Sequence, residues 1–343
     1  MKYLSLLFLV CVVAAATVAA ADFVSNASGY HLAKKTLLGG EGAWDYLYCD
    51  SGARRIYLSR STHVMIVDAD SYAVVGDIPN TPGVHGIAIV SDLSKGFISN
   101  GRDNTVTIFD LKTLKETDRV TVGKNPDAIM YDPASKQVFT FNGSSQDTTA
   151  IDAATGKVVG TVALGGKPEF AVSDEKGHVY VNIEDKSEVI QLDANKLAVD
   201  ARWSLAPGEL PSGLALDRKH HRLFSVCHNK LMVVLNSDNG KVVTTLPIGE
   251  GTDAAAFDPD TGFAFSSNGE GTLTVVHEDS PDRFTVVENV PTQRFARTMT
   301  LDLKTHRVFL VTAEIGVTPV TTEQPRPRRS IVPGTFTLLV LER

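Results

Sequence analysis

The chain has 343 residues, 43% of them hydrophobic, and a formal charge of −7. That hydrophobic share supports a large core, and the acidic balance argues against a general phosphate-binding surface, so nucleic acid is not the expected partner. Three cysteines are too few for a disulfide framework, and the sequence contains no CxxCH, no GxSxG and no phosphate loop.

At the start, Lys2 precedes an apolar run from Leu4 to Val18 and then a cluster of alanines. This pattern predicts a signal peptide over 1–21 and an exported protein, periplasmic or extracellular. No later segment reaches the roughly 20 apolar residues of a membrane span. Without Lys2 the basic residues fall to 32 (33 − 1) against 40 acidic ones, a charge of −8. Cys49 and Cys227 are expected to be unpaired and structural.

From residue 22 to 343 the expectation is a single domain built of repeats. Tyr57, Phe97, Phe139, Tyr180, Phe224, Phe265 and Phe309 each open an apolar run, at spacings of 40, 42, 41, 44, 41 and 44 residues. Each follows a small or apolar run and a turn, as in AIMYDPASKQVF and GLALDRKHHRLF. A third run ends at Asp68, Asp110, Asp152, Asp193 or Asn236, and a fourth follows a further turn, as in VVGTVAL. The recurring Asp residues read as turn formers. Four short strands per unit at this period predict an all-β, seven-bladed β-propeller of four-stranded antiparallel blades. One such sheet cannot bury both faces alone, whereas blades stacked around an axis bury each other's. The seventh unit runs out after three strands, and HLAKKTLLGG, from His31 to Gly40, is the strand left over. The N-terminus is therefore expected to complete the last blade, and a ring closed in this way is expected to act as a monomer.

The seventh unit also carries about 20 extra residues, because Phe309 to Glu342 spans 33 positions where Phe139 to Asp152 spans 13. The excess falls over 313–334 and includes TTEQPRPRRSIVPGTF. Its prolines favour extended, polyproline-like backbone. Arg326, Arg328 and Arg329 give it positive charge, so it reads as a lid or partner-facing arm over the acidic mouth described next.

Aligning the units on their aromatics places Asp45, His85, Asp127, Glu169, Ser212, Asp253 and Arg297 just before the innermost strands, around one central mouth. A second set of loops adds Arg60, Arg102, Asn142, Glu184, His228, Asn268, Glu270 and Glu314 further out. Four carboxylates near one axis repel one another unless a cation, Arg297 or raised pKa values offset this. Asp45, His85, Asp127, Glu169 and Asp253 could hold Ca²⁺ or Zn²⁺; alternatively they cap the loops. His220 and His221, in a turn on the opposite face, read as solvated.

The segments VGKNPDAI and LGGKPEFA, followed by FTFN and YVN, resemble the YVTN repeats of the YncE-like propeller family over essentially the whole mature chain, with departures in blades one, six and seven. The resemblance implies a seven-bladed exported propeller without a common chemistry, and single-stranded DNA binding as reported for a relative. The residues themselves favour a non-catalytic propeller that binds a small ligand, peptide or protein partner at its acidic mouth. A metal-assisted enzyme of the lactonase or lyase type is the alternative.

Overall fold

The computed structural model describes residues 28–318 and 328–343. The expected signal peptide, Arg326 and the tip of the proline-rich insertion lie outside the described residues. Seven four-stranded antiparallel sheets are arranged as blades. In blade three the strands run, from the axis outwards, Pro126–Asp132, Gln137–Asn142, Asp147–Asp152 and Val158–Ala163. Among the described residues no helix is long and apolar enough to cross a membrane.

Burial follows position in the blade. The second strands, such as RVFLVT and RLFSVC, are covered on both faces and read as nearly continuous apolar runs, whereas the outer strand VVGTVA is largely exposed. All seven repeat aromatics are buried. The buried apolar side chains fall into seven clusters, one at each junction between neighbouring blades. Phe139 and Phe141 of blade three, for example, pack against Val179 and Val181 of blade four. The core is thus a ring of interfaces, and every blade depends on both neighbours.

Closure is as the strand count requires. His31–Leu37 pairs antiparallel with Thr337–Glu342, running from His31↔Glu342 to Leu37↔Thr337, and becomes the outer strand of blade seven. Tyr30 anchors its start by packing edge-on against Phe265, with ring centroids 5.1 Å apart, and donates its hydroxyl to the His306 carbonyl.

The repeated Asp residues form turns. Asp68, Asp110 and Asp152 each accept from the backbone N–H and the side-chain hydroxyl of the residue three positions on. Cys49 and Cys227 are free thiols, and burial pushes both up to about 12.

The insertion departs from an extended proline segment. Its base is a two-stranded ribbon, Ile315–Thr318 paired with Arg328–Ile331 in the register Ile315↔Ile331. The prolines leave this part free: Pro319, Pro325 and Pro327 precede its second strand and Pro333 follows it, so every ladder position keeps its N–H.

Candidate functional site

The mouth residues sit where the innermost strands lose regular pairing. In blades two to six they are the second residue of the strand rather than the residue before it: His85 of Val84–Val90, Asp127 of Pro126–Asp132, Glu169 of Pro168–Ser173, Ser212 of Pro211–Asp217 and Asp253 of Thr252–Asp258. The ladder to the second strand shifts register at each of these places. Such a bulge frees backbone groups and re-aims the side chain. The preceding blade satisfies those groups: Ser99 donates to the Asp127 carbonyl at 2.5 Å, Asn182 to the Ser212 and Gly213 carbonyls, and Ser267 to the Arg297 carbonyl.

Three ion-pair groups line the mouth. His85 Nδ1 lies 2.5 Å from Asp45 Oδ2 and 3.6 Å from Asp127 Oδ1. Lys167 Nζ donates to Glu169 at 2.6 Å and to Glu184 at 2.5 Å. Asp253 accepts from Ser212 Oγ at 2.8 Å and pairs with Arg297 Nε at 3.0 Å. Burial works against the charged His85 imidazolium, but the hydrogen bond to Asp45 and the charges of Asp127, Asp45 and Glu169 outweigh it and raise His85 to about 9. Burial, helped by Asp45 and Asp253, raises Asp127 to about 6 against the pull of His85. Burial and the neighbouring Asp127 raise Glu169 to about 8 despite Lys167. Burial also raises Asp253. Formally the three groups hold five carboxylates and three cations, a charge of −2. Lys167, two residues before Glu169 in GGKPEF, supplies a cation that alignment of single ring positions missed.

Tyr46 is the second residue the pattern missed. It is buried, follows Asp45, and packs against Phe170 of blade four with centroids 5.4 Å apart. Burial raises its hydroxyl pKa well above the usual value, and Asp127, Glu169, Asp45 and Asp253 all add to the rise. One side chain therefore feels all four ring carboxylates, which identifies the ring as a single electrostatic unit. Tyr46 and Phe170 also line a mainly apolar cavity of about 390 Å³ between the innermost strands, which runs past Ala88, Ala128 and Met130 to Glu175 and Arg218 at the far ends of those strands and is not lined by the ring residues themselves.

The outer set is mixed. Arg102 and His228 are exposed. Asn142 and Asn268 are fully buried and belong to the framework. Asn142 donates to Asp147 and Thr149, and Asn268 to Thr272 and Thr274, so both tie their second strand to the third. Arg60 is likewise buried, not part of the mouth lining. Arg328 and Arg329 lie in the ribbon's second strand. His220 and His221 are paired rather than simply solvated: His221 with Asp238 at 2.6 Å, and His220 beside Asp217 and Glu278.

Residues 69–246, a little over half of the chain, match the YncE-like β-propeller family. The chain belongs to the YncE-like β-propellers. Among curated proteins no sequence matches it. Solved structures similar to this YncE-like chain share its fold at low identity. A chain of the Kuenenia stuttgartiensis hydrazine synthase is 13% identical with a TM-score of 0.70, over 87% of this chain and 98% of that one. A chain of a mitotic checkpoint complex is 12% identical with a TM-score of 0.73, over 100% and 99%. U3-55K is 10% identical with a TM-score of 0.72, over 91% and 98%.

Proposed function

We propose that this YncE-like chain is an exported, non-catalytic binding propeller, acting as a monomer, whose mouth receives a cationic group of a small ligand, peptide or protein partner. The observation that carries this reading is the excess of carboxylates over cations in the mouth, five against three, with burial first and neighbouring carboxylates second raising the proton affinity of Asp127 and Glu169. Burial and the carboxylates that the three cations leave uncompensated favour a proton on Glu169 at neutral pH and on Asp127 below about pH 6. An ammonium or guanidinium group that entered would displace those protons and satisfy the same oxygens. The apolar cavity lined by Tyr46 and Phe170 offers room for an attached hydrocarbon or aromatic part. Export rests on the N-terminal sequence, and the proline-rich insertion, with Arg326, Arg328 and Arg329, is its partner-facing arm. The enzyme reading is weaker on chemical grounds: a histidine must lose its proton to bind a metal or act as a general base, and its carboxylate neighbours raise His85 to about 9.

Calorimetric titration of the full chain with a panel of simple diamines and short basic peptides, in two buffers of different ionisation heat, tests the reading. Binding should strengthen from pH 6 to pH 8 with net proton release, and Glu169→Gln should weaken it by about tenfold. No binding across the panel, or binding indifferent to pH and to Glu169, would overturn it.

A further inference from the structure

On the face opposite the mouth, aspartates ending the innermost strands join neighbouring blades. Asp132 of blade three accepts from Ser173 Oγ of blade four at 2.5 Å. Asp258 of blade six pairs with His306 Nδ1 of blade seven at 2.8 Å, and Asp302 of blade seven accepts from Arg54 of blade one at 2.6 Å. In each case the next blade sets a hydrogen-bonding partner against a buried carboxylate.

The junction of blades five and six breaks this rule. The third and outer strands of blade six, Thr272–Ser280 and Arg283–Pro291, have nine residues each, where those of blade three have six. The extension brings Glu278, a second carboxylate, to Asp217. His220 Nδ1 lies 2.7 Å from Asp217 Oδ2 and 2.8 Å from Glu278 Oε1, yet it forms an aligned hydrogen bond with neither. The Glu278 side chain is 4% exposed, and both of its oxygens lack a hydrogen-bond donor. Asp217 is equally buried, at 2%. Asp217 accepts from the backbone N–H groups of Lys219 and His220, whereas the facing Glu278 carboxylate has no such donor, and two facing buried carboxylates are costly unless a cation joins them.

The surroundings are held from both sides. Arg222 donates to the His220 carbonyl at 2.8 Å and to the Pro281 carbonyl at 2.5 Å, and pairs with Asp282. The turn carrying His220 and the hairpin carrying Glu278 are thereby fixed to one another, independently of whatever lies between the carboxylates.

We propose that Asp217, His220 and Glu278 form a binding site for a divalent first-row metal ion of the zinc class, which ties blade five to blade six. One imidazole and two carboxylates are a donor set such an ion accepts, leaving a fourth position for water. Their donor atoms all lie within 4.8 Å of one another. Bonds of about 2.0 Å in tetrahedral geometry hold ligand atoms roughly 3.3 Å apart, so a small outward shift of His220, on the solvent side of the cluster, admits the ion. The site is separate from the mouth and does not depend on the binding function proposed there.

The full chain, treated with chelator and freed of it, is titrated with Zn²⁺ by calorimetry and with Co²⁺ by visible absorption. Wild type and Asp45→Asn should each take up one equivalent here and melt at a higher temperature with Zn²⁺. Affinity should fall by about tenfold or more in Glu278→Gln and in His220→Ala, with loss of the Co²⁺ absorption. Glu278→Gln removes one of the facing charges and should fold at least as well without metal. If wild type binds no Zn²⁺, or if binding persists unchanged in Glu278→Gln, a proton shared by the carboxyls is the joining cation and the metal proposal is wrong.

Discussion

The Arg60 guanidinium lies 3.6 Å over the ring of Phe336, buried where blade one meets blade seven. Among the described residues no carboxylate balances it, and burial lowers its pKa to about 10. Its terminal nitrogens donate to the carbonyls of Gly39, Glu41 and Gly42, the segment that leads from the closing strand into blade one. Arg60 thus holds the entry segment, the first blade and the last blade together. Arg60→Met keeps most of the bulk but leaves three carbonyls without their donor and should cost about 3 kcal/mol. Arg60→Lys, a point charge without the planar fork, should fall between that variant and wild type. Denaturant midpoints measure both, and a Met variant as stable as wild type would show that the clamp is dispensable.

Removing the closing strand should be more severe. Deletion of residues 30–38 exposes the edge of Thr337–Glu342 and removes Tyr30 from its contacts with Phe263 and Phe265. The expected result is insoluble protein or a large drop in melting temperature. A soluble truncation melting with the parent would contradict closure by this strand.

The mouth predicts a falling stability on the alkaline side. His85 titrates at about 9 in the fold, against about 6.5 in an unfolded chain. Its contribution is complete below about pH 6.5 and is lost as pH rises through about 9, roughly 3 kcal/mol over that interval. The raised Asp127 and Glu169 carboxyls act in the same sense, through about 6 and about 8. Melting temperature should therefore decline from pH 6.5 to 9, and Asp45→Asn should move the His85 step to lower pH, as followed by NMR of the imidazole. A flat profile would refute the arrangement.

The turn aspartates should be worth less but repeatably so. Asp152→Ala removes the acceptor of both the Thr155 N–H and its hydroxyl. A loss of about 1 kcal/mol is expected, with a smaller loss for Asp152→Asn, which keeps an acceptor oxygen. Urea unfolding of the pair checks the order.

The insertion should be separable from the ring. Its ribbon pairs with itself and forms its own two-stranded sheet. Replacing residues 318–333 with a short Gly/Ser link should leave the melting temperature within a few degrees of wild type while altering partner or ligand binding at the mouth. Unchanged binding would end the role proposed for Arg326, Arg328 and Arg329.

Phe139 and its six counterparts made the architecture legible, because a buried aromatic at a fixed place in every blade imposes a period that survives local drift in sequence. The ring position was legible for the same reason: a bulge in the innermost strand of blades two to six, and the residue shortly before that strand in blades one and seven, sends one side chain to one mouth. What the pattern could not carry was reach. Lys167 arrives at Glu169 and Glu184 from a loop, Tyr46 packs against Phe170 three blades away, and Arg60 turns into the junction of blades one and seven. Nor could it foresee that Asn142 and Asn268 spend their amides inside their own blades. The Tyr46 and Arg60 contacts depend on neighbours set by closure of the ring, whereas those of Lys167, Asn142 and Asn268 lie within one blade and turn on side-chain direction, which residue spacing alone does not carry.

Because His31 faces Glu342, 311 positions later (342 − 31), the first strand to be made waits for nearly the last. Blades one to six can assemble from segments close in sequence as they are synthesised, but the seventh sheet joins the two ends of the whole chain. Its formation is the longest loop closure in the molecule and belongs at the end of folding. The first and last of the described segments then lie side by side, with the Arg343 side chain against Gly29. A short linker could make the backbone continuous there, and a new start at the 79–83 connection between blades one and two would give a reordered gene for the same native surface. In that permuted chain the junction of blades one and seven would form early, within one unbroken stretch, and the late step would pass to the junction of blades one and two.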